Sequence, residues 1–184
     1  MNILETILSS QNGAAVAEIS KSLGLGQSET QTALGKLLPA VARGLSNNAS
    51  SQDGLGALLG AVSKGGHQRY IDDPASISDQ ASIEDGNGIL GHIFGSKDVS
   101  RNVASRAAEQ TGISSAILKK MLPMAATLAM GALGKKASGP DILGAVLGGD
   151  SPQPSQLSGL SAFLDFDKDG SIADDILGIA KKLF

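Results

Sequence analysis

The chain has 184 residues and a formal net charge of −3, and 41% of its residues are hydrophobic but only 3% aromatic. This length fits one domain or two small ones. The sequence contains no Cys, which excludes disulfides, thiolate metal sites and cysteine nucleophiles. Because no run alternates apolar and polar residues over several positions, the sequence predicts an all-α protein.

The first residues, Met1–Thr6, have neither the basic region nor the apolar region of a secretory signal peptide. We therefore expect a cytoplasmic protein.

The first predicted element is a pair of helices joined by a turn at Gly24. In the second helix, apolar residues recur at spacings of three and four, which is typical of a buried helical face. They are Leu34, Leu37, Leu38, Val41 and Leu45.

The same plan recurs around Gly112, so the sequence predicts an internal duplication. Lys36–Pro39 reads Lys-Leu-Leu-Pro, and Lys120–Pro123 reads Lys-Met-Leu-Pro. The turn glycine and the proline are 15 residues apart in the first copy and 11 in the second. The difference is about one helical turn, which keeps the same face inward. We expect each proline to bend its helix.

The longest apolar run, Met121–Leu133, lies between two pairs of lysines. It has about 13 residues, whereas a membrane span needs about 20. We therefore predict a buried core helix and no membrane span.

Four short apolar strings that end in Gly occur at 57–60, 88–91, 141–144 and 175–178. Each has an Asp or Asn at or just before its start that can cap a helix, which predicts four short capped helices. The capping residues are Asp53, Asn87, Asp141 and Asp174.

These patterns divide the chain into four segments. Residues 1–62 form a first helical repeat, 63–86 an acidic linker, and 87–149 a second helical repeat. Residues 150–184 contain a breaker-rich joint, then an Asp-rich loop and a C-terminal helix, which together form a short helix-loop-helix tail. The linker has few apolar side chains, which favours a mobile segment; they are chiefly Tyr70, Ile71, Ile77 and Ile83.

The Asp-rich loop of the tail begins like an EF-hand calcium loop. Asp165, Asp167 and Asp169 stand at positions 1, 3 and 5, Gly170 makes the turn at position 6, and Ser171 offers its carbonyl at position 7. Position 12 is Ile176 instead of the usual Glu, so Asp175 would close a shorter and weaker site. The alternative is a solvated turn whose aspartates stabilise the N-terminus of the next helix.

The string Gly-Asn-Gly-Ile-Leu-Gly-His-Ile-Phe-Gly at 86–95 resembles a signature of the bacterial YidB-like family, also called domain-of-unknown-function family 937. The paired Leu-Gly-Leu…Leu-Leu-Pro and Thr-Gly-Ile…Met-Leu-Pro segments are similar to that family as well. The resemblance covers most of the chain and implies an all-helical bacterial protein. It brings no assigned activity, substrate or catalytic residue.

The sequence offers little for catalysis. His67 and His92 are its two histidines, and a nucleophile usually needs a nearby histidine as its base. We expect His67, at the start of the linker, to be solvated, and His92 to be half-buried on an apolar helix. Phosphate-binding glycine motifs are absent. We therefore predict that the protein is not an enzyme and has no catalytic residues.

Nucleic-acid binding is the alternative function, because residues 16–25 and 103–122 each resemble part of a helix-turn-helix. The recognition helices, which would contact base edges in the major groove, would begin with Gln27, Ser28, Glu29, Thr30 and Gln31 in one copy and with Ser114 and Ser115 in the other. No arginine is placed to reach guanine, and the first copy carries almost no net charge. Residues 98–137, with six basic and two acidic residues, form the one plausible face.

The favoured function is therefore a non-catalytic helical interaction or scaffold protein. We expect a protein partner or self-association, and no nucleic acid.

Overall fold

The structure, a computed structural model, describes residue 7 and residues 13–49, 52–64 and 66–137. These residues contain seven α-helices and one 3-10 helix but no strand, which confirms the all-α prediction for this part of the chain. The α-helices are α1 (Ala14–Leu23), α2 (Gln27–Ala49), α3 (Gln52–Lys64), α4 (Arg69–Asp72), α5 (Gln80–Phe94), α6 (Lys97–Thr111) and α7 (Ser115–Ala137), and the 3-10 helix is Pro74–Ser78.

Local sequence signals set several helix ends. Helix α1 ends at Gly24 and α6 ends at Gly112, where φ is 67° and 73° respectively. These left-handed values suit glycine, because a Cβ would clash with the following carbonyl. The two turns predicted from the sequence are therefore confirmed.

Helices α2 and α7 share a length of 23 residues, and each continues through an internal proline, Pro39 or Pro123. Each also follows a shorter helix and a glycine turn. These likenesses agree with a duplication, which stays a prediction.

Helix α7 forms the centre of the core. Every residue from 121 to 134 is buried, and every other helix that the structure describes contacts α7. This confirms the prediction that the apolar run is a core helix. Residues Ser115–Lys135 are long and apolar enough to cross a membrane, but 78% of their most apolar stretch is buried within the protein, and core helices of soluble bundles often have this composition.

The segment predicted as a linker contributes to this core. Tyr70, Ile71 and Ile77 are almost fully buried, because α4 packs against α7 and the 3-10 helix packs against α1. The boundary predicted at residue 87 lies inside α5. The expectation of a mobile spacer is therefore corrected in the described part of this segment, because its four larger apolar side chains all reach the core.

The prediction of a short capped helix is wrong for the string at 88–91, whereas a separate short helix is found at the string 57–60. Asn87 and the string at 88–91 lie inside α5, which continues to Phe94 and ends at Gly95. The string at 57–60 lies in α3, a separate helix of 13 residues whose second residue is Asp53. The other two strings, and the whole predicted tail at 150–184, lie outside the described residues.

Helices α5 and α7 cross at very short range. A Cβ built on Gly86 would lie 2.2 Å from the carbonyl oxygen of Pro123. The backbone fixes the position of a Cβ, and the carbonyl oxygen is itself a backbone atom. No side-chain movement could therefore relieve the clash. Glycine at this position is what allows the two helices to approach so closely.

We expect Gly86→Ala to lower the free energy of unfolding by about 1–3 kcal/mol, because the added methyl group over-packs the core. Gly88→Ala is the matched control on the same helix: Gly88 is exposed, and a Cβ added to it would meet nothing within 4 Å. That change should stabilise the protein by up to about 1 kcal/mol through helix propensity. Urea unfolding measures both, and equal effects would contradict the close crossing.

Candidate functional site

A cluster of polar side chains joins α4 to α5. The Tyr70 hydroxyl donates to Asp85 Oδ2 at 2.8 Å, and Arg69 Nη2 donates to the Tyr70 hydroxyl at 2.7 Å. The Arg69 guanidinium also lies 4.8 Å from the centre of the Tyr70 ring. Because Tyr70 is 0% exposed, its hydroxyl can only bond to protein groups in this cluster.

His67 joins the same cluster and corrects the expectation that it is solvated. The residue is only 5% exposed, and its Nδ1 lies 3.0 Å from Asp85 Oδ2. The two atoms are at ion-pair distance, although their alignment does not make a hydrogen bond. The backbone explains the burial, because α7 approaches so closely that a Cβ on Gly131 would lie 2.7 Å from the His67 carbonyl oxygen.

The electrostatics of the cluster favour a fixed positive charge at its edge. The hydrogen bond to Tyr70 raises the pKa of Arg69 above its ordinary value, and the Asp85 carboxylate acts in the same direction. Arg69 therefore stays cationic beside Asp85 at any physiological pH.

This arrangement ties α4 to α5. The Tyr70 hydroxyl has a single proton and donates it to Asp85. The same carboxylate lies against His67. In the sequence, Asp85 is only one acid of the predicted acidic linker, because no residue next to it in the chain reveals its buried neighbours in the structure.

His92 is also placed differently from the expectation. Its side chain is exposed on α5, and its backbone carbonyl accepts a bond from Asn48 Nδ2 at 3.3 Å. The half-buried position predicted for it is wrong, since the buried face of this helix runs through Ile89 and Leu90.

The residues proposed to read DNA are only partly available. Thr30 is 0% exposed and donates to the Gly26 carbonyl at 3.0 Å, while Glu29 accepts the Gly26 N–H at 2.9 Å. Both side chains therefore stabilise the start of α2. Ser115 is half-buried, whereas Gln27, Ser28, Gln31 and Ser114 are exposed.

Among the described residues, no group of three or more His, Asp or Glu side chains is placed to hold a metal ion. The predicted calcium ligands Asp165, Asp167, Asp169, Ser171 and Asp175 lie outside these residues.

An open, mostly apolar groove of about 400 Å³ lies where α1, α5 and α7 meet. Leu23, Ile83 and Ile117 contribute half-buried aliphatic side chains, one from each helix. The remaining lining residues are the buried Met124 and the exposed Ser22 and Lys120. We call this feature the α1–α5–α7 groove. Sequence patterns do not reveal it, because each helix supplies only one or a few of its residues.

For the polar cluster, we expect Tyr70→Phe to lower the free energy of unfolding by about 1–3 kcal/mol, the range for a hydrogen bond to a charged group. The ring is kept, so packing changes little. In an Asp85→Ala background the same change should cost under about 0.5 kcal/mol, because its partner is gone. Urea unfolding of the four proteins gives the coupling, and a coupling near zero would contradict the bond.

Comparison with known proteins places the chain in a family. A family model described as "Bacterial protein of unknown function (DUF937)" matches residues 5–136. No curated protein and no solved structure matches the chain significantly. The match contains helices α1 to α6 and nearly all of α7, which is well over half of the sequence. The resemblance seen in the sequence is thereby confirmed, and the chain belongs to the bacterial DUF937 family.

Proposed function

We propose that the protein is a non-catalytic helical interaction module that binds an apolar helical segment in the α1–α5–α7 groove. The observation that carries this proposal is the convergence of Leu23, Ile83 and Ile117 from three helices around one open groove. Grooves of this kind accept the apolar face of an amphipathic helix.

The chemistry of the lining supports this proposal. Met124, at 2% exposure, forms part of the lining, and methionine adapts its shape to different apolar partners. Lys120 adds one exposed cation at the edge. A partner with bulky apolar side chains and a neighbouring carboxylate would fit both features.

The proposal that the protein does no catalysis is supported by the positions of its two histidines. His67 is buried against Asp85, and His92 lies exposed on α5. The nucleic-acid alternative keeps some support from the exposed Lys119 and Lys120. It loses support at the predicted recognition helix, α2, where Glu29 and Thr30 form hydrogen bonds with the backbone of Gly26.

The groove proposal predicts that Ile117→Asp abolishes capture of a partner from cells of the source bacterium. A carboxylate in the groove would have to be desolvated against apolar side chains on binding. Val99→Asp is the matched control, since Val99 is 41% exposed on α6 and does not line the groove. Partners bound by the wild type and the control, but reduced at least about 10-fold with Ile117→Asp, would support the proposal.

The same set of proteins captured by all three chains would contradict it, provided that far-UV circular dichroism shows each chain folded. A partner that proves to be DNA, retained at about 150 mM salt and weakened by Lys119→Ala/Lys120→Ala, would favour the alternative function instead.

We also propose that the tail loop binds calcium weakly and that the ion holds the tail in one conformation. Support comes from the spacing of Asp165, Asp167 and Asp169, because three carboxylates so close together repel one another unless a cation lies between them. The missing Glu at position 12 is the reason to expect weak binding.

Isothermal titration should show binding at millimolar calcium for the wild type and none for Asp167→Ala/Asp169→Ala. The control Asp141→Ala/Asp150→Ala removes the same charge outside the loop and should bind as the wild type does. Absence of heat in the wild type, or equal heat in all three chains, would contradict the site.

A further inference from the structure

The structure describes the chain as far as Ala137, and 47 residues follow in the sequence. Resting on the proposed function of the α1–α5–α7 groove, we propose that its occupant is a segment of this same chain, residues 157–167. Its sequence is Leu-Ser-Gly-Leu-Ser-Ala-Phe-Leu-Asp-Phe-Asp.

The apolar pattern of the segment fits an apolar groove. Leu157, Leu160, Phe163 and Leu164 recur at spacings of three, three and one. At about 100° per residue, these positions share one side of a helix, in a stripe about 120° wide. The other side would carry Ser158, Gly159, Ala162 and Phe166, and Asp167 would fall on the side of the stripe at the C-terminal end of the segment. The docked helix would present its apolar stripe to Leu23, Ile83 and Ile117.

The charges are complementary. The segment has two acids, Asp165 and Asp167, and no basic residue, whereas Lys120 lies at the edge of the groove next to the exposed Lys119. The asymmetry extends beyond the groove: residues 138–184 have seven acidic and three basic residues, and residues 98–137 have two acidic and six basic residues. Opposite charges of this kind favour and orient docking.

The chain is long enough for this docking. Seventeen residues of α7 separate Lys120 from Ala137, or about 26 Å of helix. The 19 residues from 138 to 156 can span about 60 Å when extended. Because the segment is tethered, its effective concentration at the groove is on the order of millimolar, so a weak contact suffices. An external partner would then have to displace it.

The absence of Cys from the natural chain allows a direct test by disulfide trapping in the full-length protein. Ser22 lines the groove and is exposed, so Ser22→Cys is paired with Ser161→Cys in the segment. The control pairs Asn47→Cys with Ser161→Cys, since the exposed Asn47 lies about 30 Å along α2 from the start of that helix. Oxidation is carried out in EDTA, which removes calcium from the Asp-rich loop.

We expect the Ser22 pair to form an intramolecular disulfide at least about 10-fold faster than the Asn47 pair, seen as a faster-migrating monomer on a non-reducing gel. Leu160→Ser/Leu164→Ser, or Lys120→Glu, should remove that advantage. Lys97→Glu, an equal change of charge on the first residue of α6, should leave it intact.

Equal rates for the two pairs would overturn the docking of the tail. Disulfide-linked dimers in place of monomers would also overturn it, since the occupant would then belong to a second copy. The proposed function would survive either result if Ile117→Asp still loses a partner that Val99→Asp keeps. It would fail together with the tail proposal if the groove substitutions change neither measurement.

Discussion

The burial of α7 is the constraint on which the rest of the structure depends. Its residues 121–134 are removed from water on every side. Each buried methylene group contributes about 0.8 kcal/mol to the free energy of folding. One helix cannot be enclosed by one neighbour, so every other described helix contacts it. This demand explains why a segment with few apolar residues, around Tyr70 and Ile77, is drawn into the core. The small residues of α5 and α7 follow from the same demand, because enclosure requires close approach of backbones.

The sequence predicts those features that depend on neighbouring residues. The turns at Gly24 and Gly112 and the burial of the run Met121–Leu133 need only local spacing and composition, and all three are found in the structure. It predicts poorly what depends on residues far apart in the chain. His67 is buried because α7 approaches it at Gly131, more than sixty residues later. Nothing near His67 in the sequence carries that information.

The glycines of α5 show how packing can override a local preference. The string at 88–91 predicts a separate short helix capped by Asn87, and glycine costs about 1 kcal/mol in a helix interior. In the structure α5 runs unbroken from Gln80 to Phe94. Its extensive contact with α7 offsets that cost, and Gly86 allows the contact in the first place. The close crossing is made at Gly86, just before the string, whereas Gly88 and Gly91 are exposed and a Cβ on either would meet nothing within 4 Å.

The same crossing places the groove. Ile83 precedes Gly86 by three residues, so the two lie on the same side of α5. Met124 follows Pro123, whose carbonyl is the atom that Gly86 approaches. Two lining residues of the groove thus lie beside the close backbone approach of α5 to α7 at Gly86. Any side chain at position 86 would push the helices apart and move Ile83 relative to Met124. Stability and recognition are therefore coupled at Gly86: the residue that lets α7 be enclosed also sets the separation of two walls of the α1–α5–α7 groove.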